Sequence, residues 1–312
     1  MHAFATSCKE VISYGPSETT DYLACPTYHR YRWGTDSGRS PVWTPRELTQ
    51  KDFSAMVGAA IHAGLAVRWQ NASTPVAVAL APAQVGVDAL NRQLQQAQLN
   101  GQHWRIDPPS PSLVTEGLHR YFAWEPAWLT DQTVCLVEQT LGPVGGTPDL
   151  VVQQNGVATV VDFKTLWLRD LRYLPERLQA YHTSWQFHDY CWRVGAHVGR
   201  PVTRVLVIGF VYQLIKERGE PDRWEVRSIV NEPVTVSTDA QQRWVEYART
   251  QWADMAGGHT PPGRDLTRCA NMGYNAPCDY YEACHGAGMN DVTYTRVIQQ
   301  HVTRRRFHAS SD

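Results

Sequence analysis

One segment, GGTPDLVVQQNGVATVVDFKT at 145–165, constrains the fold more than any other part of the chain. Two β-branched apolar runs flank an Asn-Gly dipeptide, which strongly favours a two-residue hairpin turn. The first run begins beside Asp149, and the second carries Asp162 and Lys164. Because side chains alternate across a strand, Asp162 and Lys164 share one face, where Asp149 can meet them from the paired strand. The segment therefore predicts a hairpin with one apolar and one charged face.

Further predicted strands and helices flank this hairpin on both sides. Apolar runs predict one strand before it, at 133–141, and two after it, at 204–213 and 224–230. Apolar residues at helical spacing predict helices at 45–69 (with Thr44 as the cap and Pro45 at the first helical position), 85–99, 112–125, 175–198 and 238–256. The order helix, three strands, helix, strand predicts an α/β core with a mixed central sheet and helical flanks.

Charge and hydropathy narrow the classes of protein to consider. The net charge of −1 is no global signature of a nucleic-acid binder, so any phosphate-binding surface has to be local. No apolar run is long enough to span a bilayer, and the N-terminal MHAFATSCKE lacks the basic-then-apolar layout of a signal peptide. We therefore expect a cytoplasmic protein that does not use a membrane.

The charged face of the hairpin predicts a metal site. Carboxylate oxygens that converge from neighbouring strands suit Mg²⁺ or Mn²⁺, and the backbone carbonyl of Phe163 offers a further oxygen ligand. Lys164, one of few lysines in an arginine-rich chain, would orient or deprotonate a water, or offset charge on a phosphate. The alternative is an ion pair in which Lys164 neutralises one aspartate. The hairpin by itself leaves both interpretations open.

The cysteines indicate a second, separate metal site. Three of the seven, Cys269, Cys278 and Cys284, cluster late in the chain. In a cytosolic protein thiols stay reduced, so this clustering points to a metal and not to disulfides. Zinc is one metal that accepts such thiolates.

The hairpin residues resemble the signature of a known enzyme family. Pro148-Asp149 followed by Asp162-Phe163-Lys164 is similar to the motif of the PD-(D/E)XK nucleases. The resemblance implies a restriction-endonuclease-like αβββαβ core and a metal held by Asp149, Asp162 and the Phe163 carbonyl. Lys164 would then act on the nucleophilic water.

Two helical motifs resemble the RecB-like branch of this family. Gly58-Ala-Ala-Ile-His62 is similar to its G-x-x-x-H motif, which implies that His62 is a further metal ligand. Gln186 and Tyr190 lie four residues apart on one face of a predicted helix, as in the branch's Q-x-x-x-Y motif, which positions DNA near the scissile phosphate. Glu138, on the strand before the hairpin, is a possible secondary participant.

The cysteine layout resembles the iron–sulfur exonucleases of CRISPR adaptation, of the AddB subunit and of phages. Cys25 from an early loop would join Cys269, Cys278 and Cys284 as ligands of a 4Fe-4S cluster that ties the chain ends together. Members often have a C-x2-C pair where this chain spaces its cysteines more widely. Zinc therefore remains the alternative for these four thiolates.

The resemblance implies one nuclease domain over 1–312, with a helical insertion at 47–130 that carries His62, the nuclease core at 133–256, and cluster-binding ends at 25 and 269–284. We expect a metal-dependent DNA exonuclease for single strands or DNA ends, in phage or bacterial recombination, repair or processing, with a recombination or helicase protein as a possible partner. The alternative is a non-catalytic DNA-binding accessory protein with a degenerate nuclease fold and a structural four-cysteine site. A third interpretation is an electron-transfer protein that uses the cluster.

Two other features are compatible with DNA binding. Arginine-rich segments at 29–33 and 169–177 would track phosphates, or would be ordinary solvated charges. Trp185, beside Gln186, would stack on a base, but in a chain with twelve tryptophans we expect it in the core.

Overall fold

A computed structural model of the chain describes residues 22, 41–71, 80–104, 106–141, 146–256 and 293–298. Its strands are β1 Pro41–Pro45, β2 Glu47–Leu48, β3 His103–Trp104, β4 Thr133–Val137, β5 Leu150–Gln154, β6 Val157–Leu168, β7 Arg204–Ile215, β8 Arg223–Thr235 and β9 Tyr294–Ile298. Its helices are α1 Gln50–Gln70, α2 Leu80–Leu99, α3 Pro111–Trp124, α4 Ala127–Thr130, α5 Leu174–Gln179, α6 Trp185–Val198 and α7 Thr238–Ala256.

Five strands form the central sheet, in the order β4-β5-β6-β7-β8. Only β6 and β7 run parallel, and α6 lies in the crossover between them, while the other neighbouring strands are antiparallel. A tight turn reverses the chain and so joins only antiparallel strands, whereas a parallel pair needs a longer crossover connection. The predicted mixed α/β sheet is confirmed.

β6 extends well past its partner β5, and this difference positions the site. The β5–β6 pairing runs from Gln154↔Val157 to Leu150↔Val161. β6 then continues to Leu168, paired with β7 on its other side. From Asp162 onward, the edge of β6 that faces β5 therefore has no neighbouring strand within the described sheet.

Different helices pack on the two faces of the sheet. α1, α2 and α3 cover one face, where Ile61, Leu118 and Phe210 belong to one buried cluster. α6 covers the other face, where Phe187 is buried with Val160 and Val207. α7 packs outside α6. Within the part of the chain that the structure describes, no helix has the length and apolar character needed to cross a membrane.

The hairpin turn forms as its residues predict. Asn155 and Gly156 have φ values of 50° and 77° and so occupy the left-handed region that a type I′ turn requires. The predicted helix at 238–256 also has the observed bounds of α7. Both features depend on local chemistry: turn residues in the first case, apolar spacing in the second.

Two predicted helix boundaries are wrong. α1 begins after Thr49, whose side chain forms a capping box with Asp52, and not at Thr44 and Pro45. Those residues belong to β1, which pairs with β9 from the far end of the chain. The segment predicted as one helix at 175–198 is instead α5, a 3₁₀ turn at 180–183 and α6, because Ser184 is extended.

Candidate active site

The backbone of Phe163 is the centre of the candidate site. Its N–H and C=O lie on the edge of β6 that faces β5, beyond the last residue that β5 pairs. They therefore form no hydrogen bonds to a neighbouring strand there. The N–H donates to Asp149 Oδ2 at 2.6 Å, and the carbonyl lies 2.9 Å from His62 Nε2. Buried backbone groups need partners, and here two functional side chains replace the missing strand.

His62 reaches this edge from α1, which packs directly on β6. Close approach is possible at Gly58, where an added Cβ would lie 3.2 Å from Thr165 Oγ1. His62 Nδ1 lies 3.3 Å from Glu138 Oε1 and 3.4 Å from Asp149 Oδ1. Ligand atoms of these three residues all lie within 4.8 Å of one another, a spacing compatible with one bound metal ion.

Glu138 occupies a strained backbone conformation at the end of β4. Its φ of 45° is unusual for a residue other than glycine, and such strain persists only where surrounding contacts hold it. One such contact is the Glu138 N–H, which donates to the carbonyl of Asp149 at 3.0 Å. The sequence indicated only a secondary participant here, yet the carboxylate lies as close to the His62 ring as Asp149 does. Its place at the end of a strand that neighbours the hairpin was the available signal.

Asp162 and Lys164 point to the other side of β6, towards α6. Lys164 Nζ lies 2.8 Å from Asp162 Oδ2 and donates to Gln186 Oε1 at 3.1 Å. The Gln186 amide nitrogen donates to Tyr190 Oη at 2.8 Å and lies 3.4 Å from Asp162 Oδ1. The sequence motifs on β6 and α6 are therefore in direct contact.

The charges of the site are strongly coupled. Burial works against protonation of His62, but Asp149 and Glu138 outweigh it and raise the pKa of His62 to about 10. Burial and the nearby Asp149 raise the pKa of Asp162 to about 6, against the opposing effect of Lys164. The pKa of Lys164 is raised despite its burial, because Asp162 and Asp149 favour the ammonium. Burial opposes ionisation of Asp149, yet His62 and Lys164 keep its pKa below the usual value.

The donor set fits a hard divalent cation. Three carboxylates, an imidazole and a backbone carbonyl are ligands that Mg²⁺ and Mn²⁺ accept. Asp162 is fully buried, and its Oδ2 lies 2.8 Å from the Lys164 ammonium. Burying a carboxylate is costly unless its charge is offset, and a metal ion would add to the offset that Lys164 supplies. Asp162 is not part of the compact group formed by His62, Glu138 and Asp149.

Some sequence predictions lie outside this site. Cys25, Cys269, Cys278 and Cys284, like the segment 29–33, lie outside the described residues. Trp185 is 45% exposed, so the expected core position is wrong. Its partners come from α7, which no local pattern connects to it.

The fold is a mixed α/β sheet, and the His62, Glu138 and Asp149 group beside Lys164 could hold a divalent metal. The model of the PD-(D/E)XK nuclease superfamily matches residues 13–285. The chain belongs to this superfamily. Its members use divalent metals, which agrees with the donor set of the site.

Two solved structures are similar to this chain at low identity. An alkaline exonuclease from Laribacter hongkongensis is 11% identical, with a TM-score of 0.31, over 67% of this chain and 94% of its own. A putative exonuclease from Eubacterium rectale is 11% identical, with a TM-score of 0.38, over 88% of this chain and 94% of its own. No curated protein sequence matches the chain. The family assignment rests on the family match and not on these two structures.

Proposed function

We propose that this protein is a divalent-metal-dependent DNA exonuclease that hydrolyses phosphodiester bonds at single strands or DNA ends. One observation carries the proposal: His62, Glu138, Asp149 and the Phe163 carbonyl converge where β5 ends and β6 continues, with Asp162 and Lys164 on the adjoining face. A site made only of imidazole or thiolate ligands would suit metals such as zinc, whereas this set, rich in carboxylate and carbonyl oxygens, suits Mg²⁺ or Mn²⁺.

In this proposal Asp149, Asp162, His62 and the Phe163 carbonyl would hold the metal. Glu138 would be a further ligand, directly or through a water. When bound, the metal lowers the pKa of a water and offsets the charge that develops on the phosphate. For His62 to be a ligand it has to lose the proton that Asp149 and Glu138 favour, so metal binding releases a proton.

Lys164 acts as a fixed positive charge in this proposal. Its raised pKa keeps the side chain an ammonium, which can orient a water or stabilise a phosphate oxygen but cannot accept a proton. Gln186 contacts both Lys164 and Asp162 and so orients their side chains. Tyr190 accepts a hydrogen bond from the Gln186 amide and holds it in place. The same amide and hydroxyl would position the DNA strand.

The wider role follows from the sequence motifs. We assign the protein to a cytoplasmic pathway of phage or bacterial DNA recombination, repair or processing, acting with a recombination or helicase partner. Cys25, Cys269, Cys278 and Cys284 would bind a 4Fe-4S cluster, or zinc. Support for a link between the chain ends comes from β1 and β9, which pair residues 41–45 with residues 294–298.

One purification tests the proposal. The protein is incubated with linear single-stranded DNA, linear duplex DNA and circular single-stranded DNA, each with Mg²⁺, with Mn²⁺ or with EDTA. We expect metal-dependent release of mononucleotides or short products from linear DNA, while the circle stays intact. Cleavage of the circle, which has no ends, would show that the enzyme is an endonuclease and not an exonuclease. DNA binding without any cleavage would favour the accessory protein instead, and the visible spectrum of the sample separates an iron–sulfur cluster from zinc.

A further inference from the structure

An exposed aromatic surface lies beside the candidate site. Trp185, the first residue of α6, stacks on Trp244 of α7 at a ring-centroid distance of 5.1 Å and an interplanar angle of 28°. It also stacks on Tyr247, at 6.1 Å and 27°. Trp185 is 45% exposed and Tyr247 is 44% exposed, whereas Trp244 is fully buried. We call these three residues the aromatic platform.

Buried contacts hold the platform in place. Trp244 Nε1 donates to Asp189 Oδ1 at 3.4 Å, and Asp189 Oδ2 accepts from Arg193 Nε at 2.7 Å. Both charged side chains are buried. The ring that supports Trp185 is thus fixed by a hydrogen bond beneath it, so the exposed rings need little ordering before they contact a ligand.

The platform adjoins the reactive residues along the chain. Trp185 directly precedes Gln186, whose amide contacts both Lys164 and Asp162. Consecutive Cα atoms lie about 3.8 Å apart, so the platform begins within one residue of the group that positions the catalytic pair. Because successive helical residues project about 100° apart, the platform occupies the face of α6 next to the one that carries Gln186.

We propose that Trp185, with Tyr247, stacks an unpaired base of the bound DNA, so that the site prefers a single-stranded end. Aromatic rings bind bases of any sequence because every base has a π-face. A base inside a duplex already stacks on its neighbours and is not free to contact these rings. This inference deepens the proposed nuclease function and rests on it.

Another exposed tryptophan supplies a matched control. Trp128 in α4 is 43% exposed, nearly the same as Trp185. It lines a hollow beside Asn155, at the turn of the hairpin, whereas the candidate site lies at the other end of β5. If general surface hydrophobicity held DNA, the two tryptophans would contribute equally.

The test measures DNA binding in an inactive Asp162→Asn background with Mg²⁺. Fluorescently labelled oligothymidylates carry a single abasic position, moved one nucleotide at a time. Trp185→Ala should weaken binding of the intact strand about tenfold, Trp185→Phe should retain most of the affinity, and Trp128→Ala should leave it unchanged. Because Trp185 covers part of Trp244, thermal melts report any loss of stability in Trp185→Ala, and binding is measured at a temperature where every variant is folded.

The abasic series identifies stacking specifically. In the background, one abasic position should weaken binding most, and Trp185→Ala should remove this dependence on position. An unchanged affinity or an unchanged abasic profile in Trp185→Ala would overturn the inference, as would a background protein that does not bind single strands. Cleavage by the wild-type protein is scored separately. If the wild-type protein cleaves DNA but Trp185→Ala leaves the abasic binding profile unchanged, only the stacking inference fails. If the abasic profile depends on Trp185 but the wild-type protein does not cleave DNA, only the nuclease proposal fails.

Discussion

Two fully buried aspartates, Asp162 on β6 and Asp189 on α6, have opposite surroundings. Burial raises the pKa of both carboxyl groups. Asp189 is well satisfied: Arg193 donates to one oxygen and Trp244 to the other. Asp162 has an ion pair with Lys164 and only a 3.4 Å contact from Gln186, and it lies near a second carboxylate, Asp149.

The difference separates a balanced structural ion pair from a carboxylate of the proposed metal site. Asp189 and Arg193 balance one another, and Arg193 Nη1 also donates to the carbonyl of Leu141 at 3.3 Å, in the segment between Glu138 and Asp149. The pair therefore helps to hold the loop that carries two candidate ligands. Asp162 lies among Lys164, His62 and the second carboxylate Asp149, and a divalent ion would offset the repulsion between the two carboxylates.

The largest expected effect is on activity at Asp162. Asp162→Asn removes a proposed metal ligand and the partner of Lys164, so metal-dependent cleavage should fall by about a thousandfold or more. The measurement is the initial rate of nucleotide release from end-labelled DNA. Glu116→Gln, an exposed carboxylate on α3, is the control and should cleave at the wild-type rate. Near-normal cleavage by Asp162→Asn would contradict its assigned role.

Asp189→Ala should affect stability instead. It leaves the buried Arg193 guanidinium without its carboxylate, and breaking a buried pair in this way costs about 3–5 kcal/mol of unfolding free energy. Asp162→Asn should change this free energy much less, because two effects oppose each other: the amide removes the cost of burying an ionised carboxylate whose pKa is raised, but it also removes the partner of Lys164. Urea denaturation in EDTA measures both variants. Equal destabilisation of the two would remove the contrast between them.

The pH dependence of stability should separate the two regions further. Without metal, the folded protein keeps His62 protonated up to a pKa of about 10, whereas the unfolded chain loses this proton near 6.5. The folded state binds more protons in this window, so the free energy of unfolding should fall by about 1 kcal/mol per pH unit between pH 7 and 9.

His62→Gln tests the origin of that slope. It should flatten the profile of unfolding free energy against pH, measured in urea with EDTA present. Asp189→Asn should leave the slope between pH 7 and 9 intact, because the groups that raise the pKa of His62 are Asp149 and Glu138 and not Asp189. A slope that persists in His62→Gln would assign it to another group.

The smallest effect is expected for an exposed pair. Arg120 lies 2.7 Å from Glu116 on the surface of α3. Solvent and salt screen such pairs, so Glu116→Gln should change the free energy of unfolding by under about 0.5 kcal/mol. A larger loss would show that burial does not explain the cost at Asp189. Urea denaturation at two salt concentrations makes the measurement.

Much of the fold is predictable from local sequence. The three strands around the hairpin, its turn and the bounds of α7 follow from alternation, turn residues and helical spacing. The boundary of α1 was not predictable, since Pro45 joins a strand with Tyr294 and so depends on a contact across nearly the whole chain. Local signals at Thr44 and at Thr49 both resemble helix caps, and tertiary pairing selects the second.

The sequence by itself determined the chemical groups of the site and their order: His62, then Asp149, then Asp162 with Lys164, then Gln186. The spacing of the motifs predicts these groups because each of them lies on or beside a helix or strand that local sequence patterns predict. Tertiary structure alone decided that β6 extends past β5 and frees the backbone of Phe163, because the pairing with β7 sets the length of β6. It also decided that strained Glu138 lies beside His62 and that Trp185 is exposed on Trp244. These contacts join residues far apart in sequence, and no local pattern specifies them.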